Sequence, residues 1–145
     1  MMPRQYCTFF VEGQYYGLDA VRVQEILCAQ RMTPVPLAPP MVRGLINLRG
    51  QIVMALDLRH RLGMKERPAA DVPVNVVLQA SDGAVSLLVD EIGDVVEAPQ
   101  GDFERPPETL SESVRDMILG TYQLADRLLM VLDADEVVRV DWDKE

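Results

Sequence analysis

The sequence predicts an all-β protein with short helices, built as two five-stranded barrels from an internal duplication and packed around a shared core. Three observations predict it. The first is the stretch Gly44-Leu45-Ile46-Asn47-Leu48-Arg49-Gly50-Gln51-Ile52-Val53-Met54-Ala55-Leu56-Asp57. Two aliphatic runs split by Arg49-Gly50 are the signature of a β-hairpin. The second is the recurrence of that frame from Gly120 to Asp133: Leu48 matches Leu124, Met54 matches Met130 and Asp57 matches Asp133. The tip differs, Arg49-Gly50 in one copy and Ala125-Asp126 in the other. The third is that each frame follows the same order of hairpin, Asp-capped turn, strand and Pro-rich loop. Five short strands cannot bury both faces as an open sheet, and closing or nearly closing them into a small barrel also hides their edges. A groove between two such barrels is the natural ligand site.

Each element has its local reason. Tyr6 to Val11 and Gln14 to Leu18 read as strands joined by the tight turn Glu12-Gly13. The Asp19 carboxylate accepts the free amide hydrogens of a helical turn over Ala20-Val21-Arg22. Val23 to Ala29 is extended again. Pro34-Val35-Pro36-Leu37-Ala38-Pro39-Pro40 can be neither helix nor central strand. It reads as an extended crossing segment, partly buried through Val35 and Leu37. After the Gly44 hairpin, Asp57 caps a short helix from Leu58 to Leu62 that Gly63 ends. Met64 to Pro73, polar and with two prolines, reads as the linker.

The second half restarts the pattern. Val74 to Ala80 and Ala84 to Val89 are strands around the turn Ser81-Asp82-Gly83. Asp90 takes the role of Asp19, and Val95-Val96 begins another extended run. Gln100 to Pro107 is a loop, Ser111 to Met117 a short helix, and Asp133 caps a final turn through Val138. The charged tail from Arg139 to Glu145 is expected to fray. The chain is thus one domain over residues 1–145, with barrel repeats expected at about 6–65 and 74–140.

Composition excludes several classes of function. An apolar content of 48% over 145 residues supports a packed core. A net charge of −9 argues against nucleic-acid phosphates and anionic membrane surfaces as partners. No apolar run approaches the roughly 20 residues that span a bilayer, and Met1-Met2-Pro3-Arg4-Gln5 lacks a signal peptide's apolar region. Cys7 and Cys28 have no metal-type spacing and read as buried thiols. The expectation is a soluble, acidic, cytoplasmic protein with no cofactor and no metal.

Nothing supports an enzyme. The single histidine, His60, lies between Arg59 and Arg61 and reads as a solvated surface residue. Asp19, Asp57, Asp90 and Asp133 recur at helix starts, which favours capping over acid–base chemistry. What remains is binding. Arg49 stands where its repeat mate is Ala125, and Val23-Gln24-Glu25-Ile26 is a mixed apolar and acidic strand. An Arg49–Glu25 pair would brace the hairpin against that strand and contribute about 0.5–1 kcal/mol.

Particular residues then resemble a known family. Pro34-Val35-Pro36, the run from Val42 and Gly44 through Asn47-Leu48-Arg49-Gly50, Ile52-Val53, Leu56-Asp57-Leu58-Arg59 and Leu62-Gly63 resemble the CheW family of chemotaxis coupling proteins. Tyr16-Gly17-Leu18-Asp19, Val23-Gln24-Glu25-Ile26 and Leu87-Leu88-Val89-Asp90-Glu91-Ile92 with Val95 fit as well. The likeness runs from about Tyr6 to Val138. It implies two SH3-like barrels and a non-enzymatic scaffold. The scaffold links the regulatory domain of a CheA-type histidine kinase to the cytoplasmic tips of methyl-accepting chemoreceptors. It implies a receptor groove using Ala20, Val23, Ile26 and Ile92, with Arg49 at a functionally important family position and Glu25 where an acidic residue is common. Plain core packing is the alternative for Val23, Ile26 and Ile92. Kinase-contacting residues are not assigned. The chain departs from the family at Met54, where proline is frequent and where Met54 is expected merely to pack. It departs again at Arg43, a place where receptor choice can be tuned. A second reading keeps the scaffold but puts it in a pathway controlling surface motility or gene expression. A third is a small ligand-binding or enzymatic barrel with its site in the inter-barrel groove.

Overall fold

The computed structural model describes residues 4–98, 103–140 and Trp142. Ten strands and three one-turn helices alternate along it. In the first half these are β1 (Gln5–Val11), β2 (Gln14–Asp19), β3 (Val23–Leu27), β4 (Val42–Leu48), β5 (Gln51–Asp57) and α1 (Leu58–Arg61). In the second they are β6 (Val74–Ala80), β7 (Gly83–Val89), β8 (Glu91–Glu97), α2 (Glu112–Arg115), β9 (Ile118–Gln123), β10 (Leu128–Leu132) and α3 (Ala134–Val137). A 3-10 turn, Ala20–Arg22, joins β2 to β3. The fold class is as expected: mostly β, short helices, two five-stranded sheets of SH3-like character.

The division of the chain between the sheets differs from the expected 6–65 and 74–140. One sheet runs β8-β1-β2-β10-β9 and the other β3-β6-β7-β5-β4. Each therefore combines the first hairpin of one half with the last three strands of the other. The second sheet is one continuous segment, from β3 to β7, and the first wraps around it from both ends. The joins are parallel, β2 with β10 and β5 with β7, so both sheets are mixed. A sequence repeat fixes local strands and turns, but strand partners depend on which crossover the chain makes, and repetition does not encode that.

Three clusters hold the sheets. The largest takes Phe9 and Leu18 from the first sheet, Leu56, Leu78 and Leu87 from the second, and Leu58 and Val137 from α1 and α3. It is the shared core. Smaller clusters fill each sheet's own concave side: Tyr6, Tyr15, Leu129 and Val131 in one, Ile46, Leu48, Val53 and Val77 in the other. Alternating strand residues thus serve two cores, which accounts for the nearly continuous apolar runs in β5, β6, β7 and β10.

Each sheet curls until the segment after one edge strand reaches the other edge. Thr33, downstream of β3, exchanges backbone hydrogen bonds of 2.9 and 2.8 Å with Leu45 of β4. Glu104, downstream of β8, does the same with Thr121 of β9 at 2.9 and 2.8 Å. These straps explain the glycine that opens each repeat frame. A Cβ at Gly44 would stand 2.8 Å from the Thr33 carbonyl oxygen, and one at Gly120 would stand 2.8 Å from that of Glu104.

Several local expectations are corrected. Val35 is half-buried against the core, but Leu37 is fully exposed at 103% with φ +63°. Pro36 and Leu37 form the middle of a tight turn, Ala38 N–H donating to the Val35 carbonyl at 3.3 Å, and that turn swings Leu37 outward. Cys28 is exposed and Cys7 only half-buried, both free, with burial pushing the Cys7 thiol up. Asp19, Asp57 and Asp133 accept amide hydrogens at helical starts as expected. Asp90 does not, because β8 begins at once with Glu91. The expected loop over Gln100–Pro107 lies outside the described residues up to 102, and so does the tail at 141 and 143–145.

Asp90 has a larger task. It stands where the chain leaves the second sheet for the first. Its carboxylate accepts from Arg59 (Nη2 at 2.7 Å), Arg67 (Nη2 at 2.8 Å) and the Glu12 amide (2.7 Å). Neighbouring Asp57, 3% exposed, pairs with Arg43 at 3.2 Å and Arg67 at 3.4 Å. The segment read as a linker is therefore pinned through Arg67, whose side chain is 8% exposed. Arg43, also paired with Glu66 at 3.1 Å, belongs to this network. Met54 packs against the shared core, as expected.

Candidate functional site

The site begins with the first hairpin tip. Arg49 and Gly50 both have positive φ, +53° and +90°, so the tip is a type I′ turn that matches the twist of β4 and β5. Glycine takes this conformation freely, and arginine takes it at a cost of order 1–2 kcal/mol. The Asn47 side chain steadies the turn by accepting from the Gly50 amide at 2.9 Å.

Arg49 then reaches across the opening of the curled sheet. Its Nη2 donates to both carboxylate oxygens of Glu25, at 2.6 and 2.7 Å. β3 and β4 are the two edges of that sheet, so the pair latches one edge strand to the hairpin from the other. The Glu25 side chain is 23% exposed and that of Arg49 68%, so the pair is worth little in stability and acts mainly on geometry. The ion pair expected from the sequence is thus formed.

The apolar candidates sit on both free edges. β3 and β8 each pair with one neighbour only, β6 and β1 respectively. Val23 lies opposite Leu78, and Ile92 lies opposite Phe9. Leu78 and Phe9 are both in the shared core, so Val23 and Ile92 lie on the core-facing sides of their strands. Val23 is half-buried and packs on the core, which meets the core-packing alternative in part. Ile26 and Ile92 do not, being 41% and 37% exposed. Ala20 lies half-buried in the 3-10 turn leading to β3. The structure joins Glu25 to Arg49 directly. It puts Val23 and Ile26 on one sheet and Ile92 on the other.

Two residues were missed in the sequence. The hairpins β1–β2 and β6–β7 close at Val11–Gln14 and Ala80–Gly83. Counting back from these turns, Val23 corresponds to Ile92 and Ile26 to Val95, opposite Cys7. Val95 is 57% exposed. This offset of 69 differs from the 76 that relates the Gly44 and Gly120 frames, so the match does not show from the frames alone. The other residue is Arg127. Position 125 in the second tip is alanine, but Arg127 two residues on lies over the Phe10 and Tyr15 rings at 5.4 and 5.0 Å and pairs with Asp126 at 3.1 Å. The counterpart of Glu25 is Asp94, in the β8 bulge, where its carbonyl accepts the Thr8 hydroxyl. Its carboxylate has no ion pair among the described residues. One sheet is latched by an ion pair, and the other has an arginine stacked on aromatic rings.

His60 is exposed on α1, and among the described residues no group of His, Cys, Asp and Glu is arranged to hold a metal. Among the described residues no helix is long and apolar enough to cross a membrane.

Comparison with known proteins agrees with this geometry. The family model for the CheW-like domain matches residues 5–141. The chemotaxis protein CheW of Bacillus subtilis is 32% identical over 131 residues, covering 90% of this chain and 84% of that one. That of Rhizobium meliloti is 31% identical over 134 residues, covering 92% and 86%. Among solved structures, the scaffolding protein TtCheW from Thermoanaerobacter tengcongensis superposes with a TM-score of 0.84 at 24% identity, covering 99% of this chain and 93% of that one.

Proposed function

The chain belongs to the CheW-like domain family, and on that premise we propose that it couples a CheA-type histidine kinase to the cytoplasmic tips of methyl-accepting chemoreceptors. It is a scaffold protein of chemotaxis and not an enzyme. In this reading it works in the cytoplasm, recruited to receptor arrays at the membrane.

One observation carries the receptor assignment. Ile26 and Ile92 are exposed at the free edges of opposite sheets, each on the face that otherwise builds the shared core. Apolar side chains there offer a helical receptor tip a place to continue the core, with Ala20, Val23 and Val95 beside them. Glu25 and Arg49 fix the β3 side of this surface. The mechanism is mechanical: the scaffold holds the kinase at a set distance and angle, and a receptor shift biases the kinase through differential contacts. Weak individual contacts suffice, because an array multiplies them.

Pull-down of the full chain with a CheA-type regulatory domain, and separately with a receptor signalling fragment, tests the proposal. Binding to both is expected. Binding to neither overturns it.

A further inference from the structure

The two free edge strands carry the same irregularity. On β8, Ile92 lies opposite Phe9 and Val95 opposite Cys7, so Gly93 and Asp94 together face the single residue Thr8. On β3, Val23 lies opposite Leu78 and Ile26 opposite Val76, so Gln24 and Glu25 together face Val77. Each is a β-bulge, two residues against one. In a regular strand, residues three apart point to opposite faces. The bulge absorbs one residue, so Ile92 and Val95 share a face, as do Val23 and Ile26.

A bulge of this kind needs a restraint. It takes backbone groups out of the ladder, and a slip of one residue turns the rest of the strand over. On β3 the restraint comes from outside the sheet, where Arg49 holds the bulge residue Glu25 at 2.6 and 2.7 Å. Alanine stands at position 125 in the other half, and its bulge is held from the inner side instead. Thr8, 1% exposed, donates its hydroxyl to the Asp94 carbonyl. Gly93 leaves the room for it: a Cβ there would stand 2.5 Å from Thr8 Oγ1 and 3.4 Å from Phe10 Cε2. Its φ is not positive, so this glycine serves close approach rather than a turn. The counterparts on the other sheet, Val77 and Gln24, offer neither the hydroxyl nor the room. Each half therefore has one device and lacks the other's.

We propose that Thr8 is a positioning residue of the receptor surface. Its buried hydroxyl, with the gap at Gly93, fixes the β8 bulge that presents Ile92 and Val95 together, the task that the Arg49–Glu25 pair performs on β3. The proposal rests on the coupling reading for what binds there, but not for the staple itself.

Thr8→Val, Thr8→Ser and Gly93→Ala in the full chain test it, read by amide hydrogen exchange and by calorimetry with a receptor signalling fragment. Thr8→Val keeps the shape and removes the donor, whereas Thr8→Ser keeps the donor. In Thr8→Val the β1-bonded amides of β8 should exchange about tenfold faster, with those between β2 and β10 unchanged, and the fragment should bind about tenfold more weakly. Thr8→Ser should return both to within about threefold of wild type. Gly93→Ala crowds the hydroxyl and should act in the direction of Thr8→Val. Unchanged exchange on β8 in both Thr8→Val and Gly93→Ala overturns the staple. Faster exchange with undiminished fragment binding overturns its role at the surface. A wild-type chain that does not bind the fragment refutes the coupling reading and the surface role with it, while exchange still decides the staple.

Discussion

Replacing Asp90 with alanine removes the carboxylate that ties the β7–β8 crossover to α1, to the 62–73 segment and to the β1–β2 turn. Four of its contacts lie between 2.7 and 3.0 Å: Arg59 Nη2 and Nε, Arg67 Nη2 and the Glu12 amide. The Arg59 and Arg67 side chains are 11% and 8% exposed, so deletion leaves two guanidinium groups largely out of water. Arg67 retains Asp57 at 3.4 Å, and Arg59 retains only the Lys65 carbonyl at 3.4 Å. Removing one partner of a buried pair costs about 3–5 kcal/mol, and the surviving contacts put this case near 3. For a chain of this length that lowers the thermal midpoint by roughly 6–12 °C. Urea unfolding followed by circular dichroism at pH 7 and at pH 3 measures it. Burial pushes the Asp90 carboxyl up, but hydrogen bonds from Arg59, the Glu12 amide and Arg67 outweigh burial and hold it below its ordinary value. A carboxyl with a depressed folded-state pKa stabilises fully above its unfolded value, about 3.9, and the contribution is lost as pH falls through the folded value. The gap between wild type and Asp90→Ala should therefore narrow below about pH 4. A loss under about 1 kcal/mol at pH 7, or a gap of equal size at both pH values, would refute the reasoning.

Further outcomes follow from the same contacts. Glu25→Ala and Arg49→Ala should weaken receptor-fragment binding non-additively, with a coupling of about 0.5–1 kcal/mol in a double-mutant cycle, and additive losses would sink the latch. Ile26→Asp and Ile92→Asp should each weaken that binding at least about tenfold by calorimetry while unfolding stability moves by less than about 0.5 kcal/mol, since both side chains are exposed. Gly44→Ala and Gly120→Ala should each cost about 1–3 kcal/mol in chemical denaturation, because a Cβ meets a strap carbonyl at 2.8 Å. A neutral Gly44→Ala would mean that the Thr33 strap yields freely.

Local chemistry was legible in the sequence, and partnership was not. The Arg49-Gly50 turn, the Asp19, Asp57 and Asp133 caps and the strand order all follow from residues a few positions apart. The Glu25–Arg49 pair spans 24 positions and was still readable, because the odd arginine of a repeat stood out against its alanine mate. The exchange of hairpins between halves was not readable: both arrangements bury the same apolar faces, and only the crossovers decide between them. Asp90 shows the same limit. Its repeat position implied a cap, yet its partners Arg59 and Arg67 lie 31 and 23 positions away. Leu37 misled because apolar character was taken for burial, and the left-handed turn decides otherwise.

The two crossovers that the exchange creates are unequal, and this bears on how a duplicated scaffold can act in one direction. At the β7–β8 crossover Asp90 is clamped by two guanidinium groups that are nearly buried. At the β2–β3 crossover Asp19 has one arginine, Arg4, at 3.4 Å and 64% exposed, and next to it Val21 is 85% exposed. The first joint is held by nearly buried guanidinium groups, whereas the second is held by the partly exposed Arg22, which donates to the Gln79 carbonyl at 2.7 Å and to Asp135 at 2.5 Å, and by the Arg4–Asp19 surface pair, contacts that solvent screens more. β3 leaves the weaker joint, and the Glu25–Arg49 latch then holds it at its other end. A receptor tip pressing on Ile26 would thus meet an edge strand held by β6 on one side and by the Glu25–Arg49 pair on the other, whereas Ile92 leaves the clamped joint. A partner touching both would move β3 against a rigid β8, and the β4–β5 hairpin would follow through Arg49. On the coupling reading, this asymmetry lets a scaffold with nearly equal halves carry a receptor shift to one side rather than dissipate it across both.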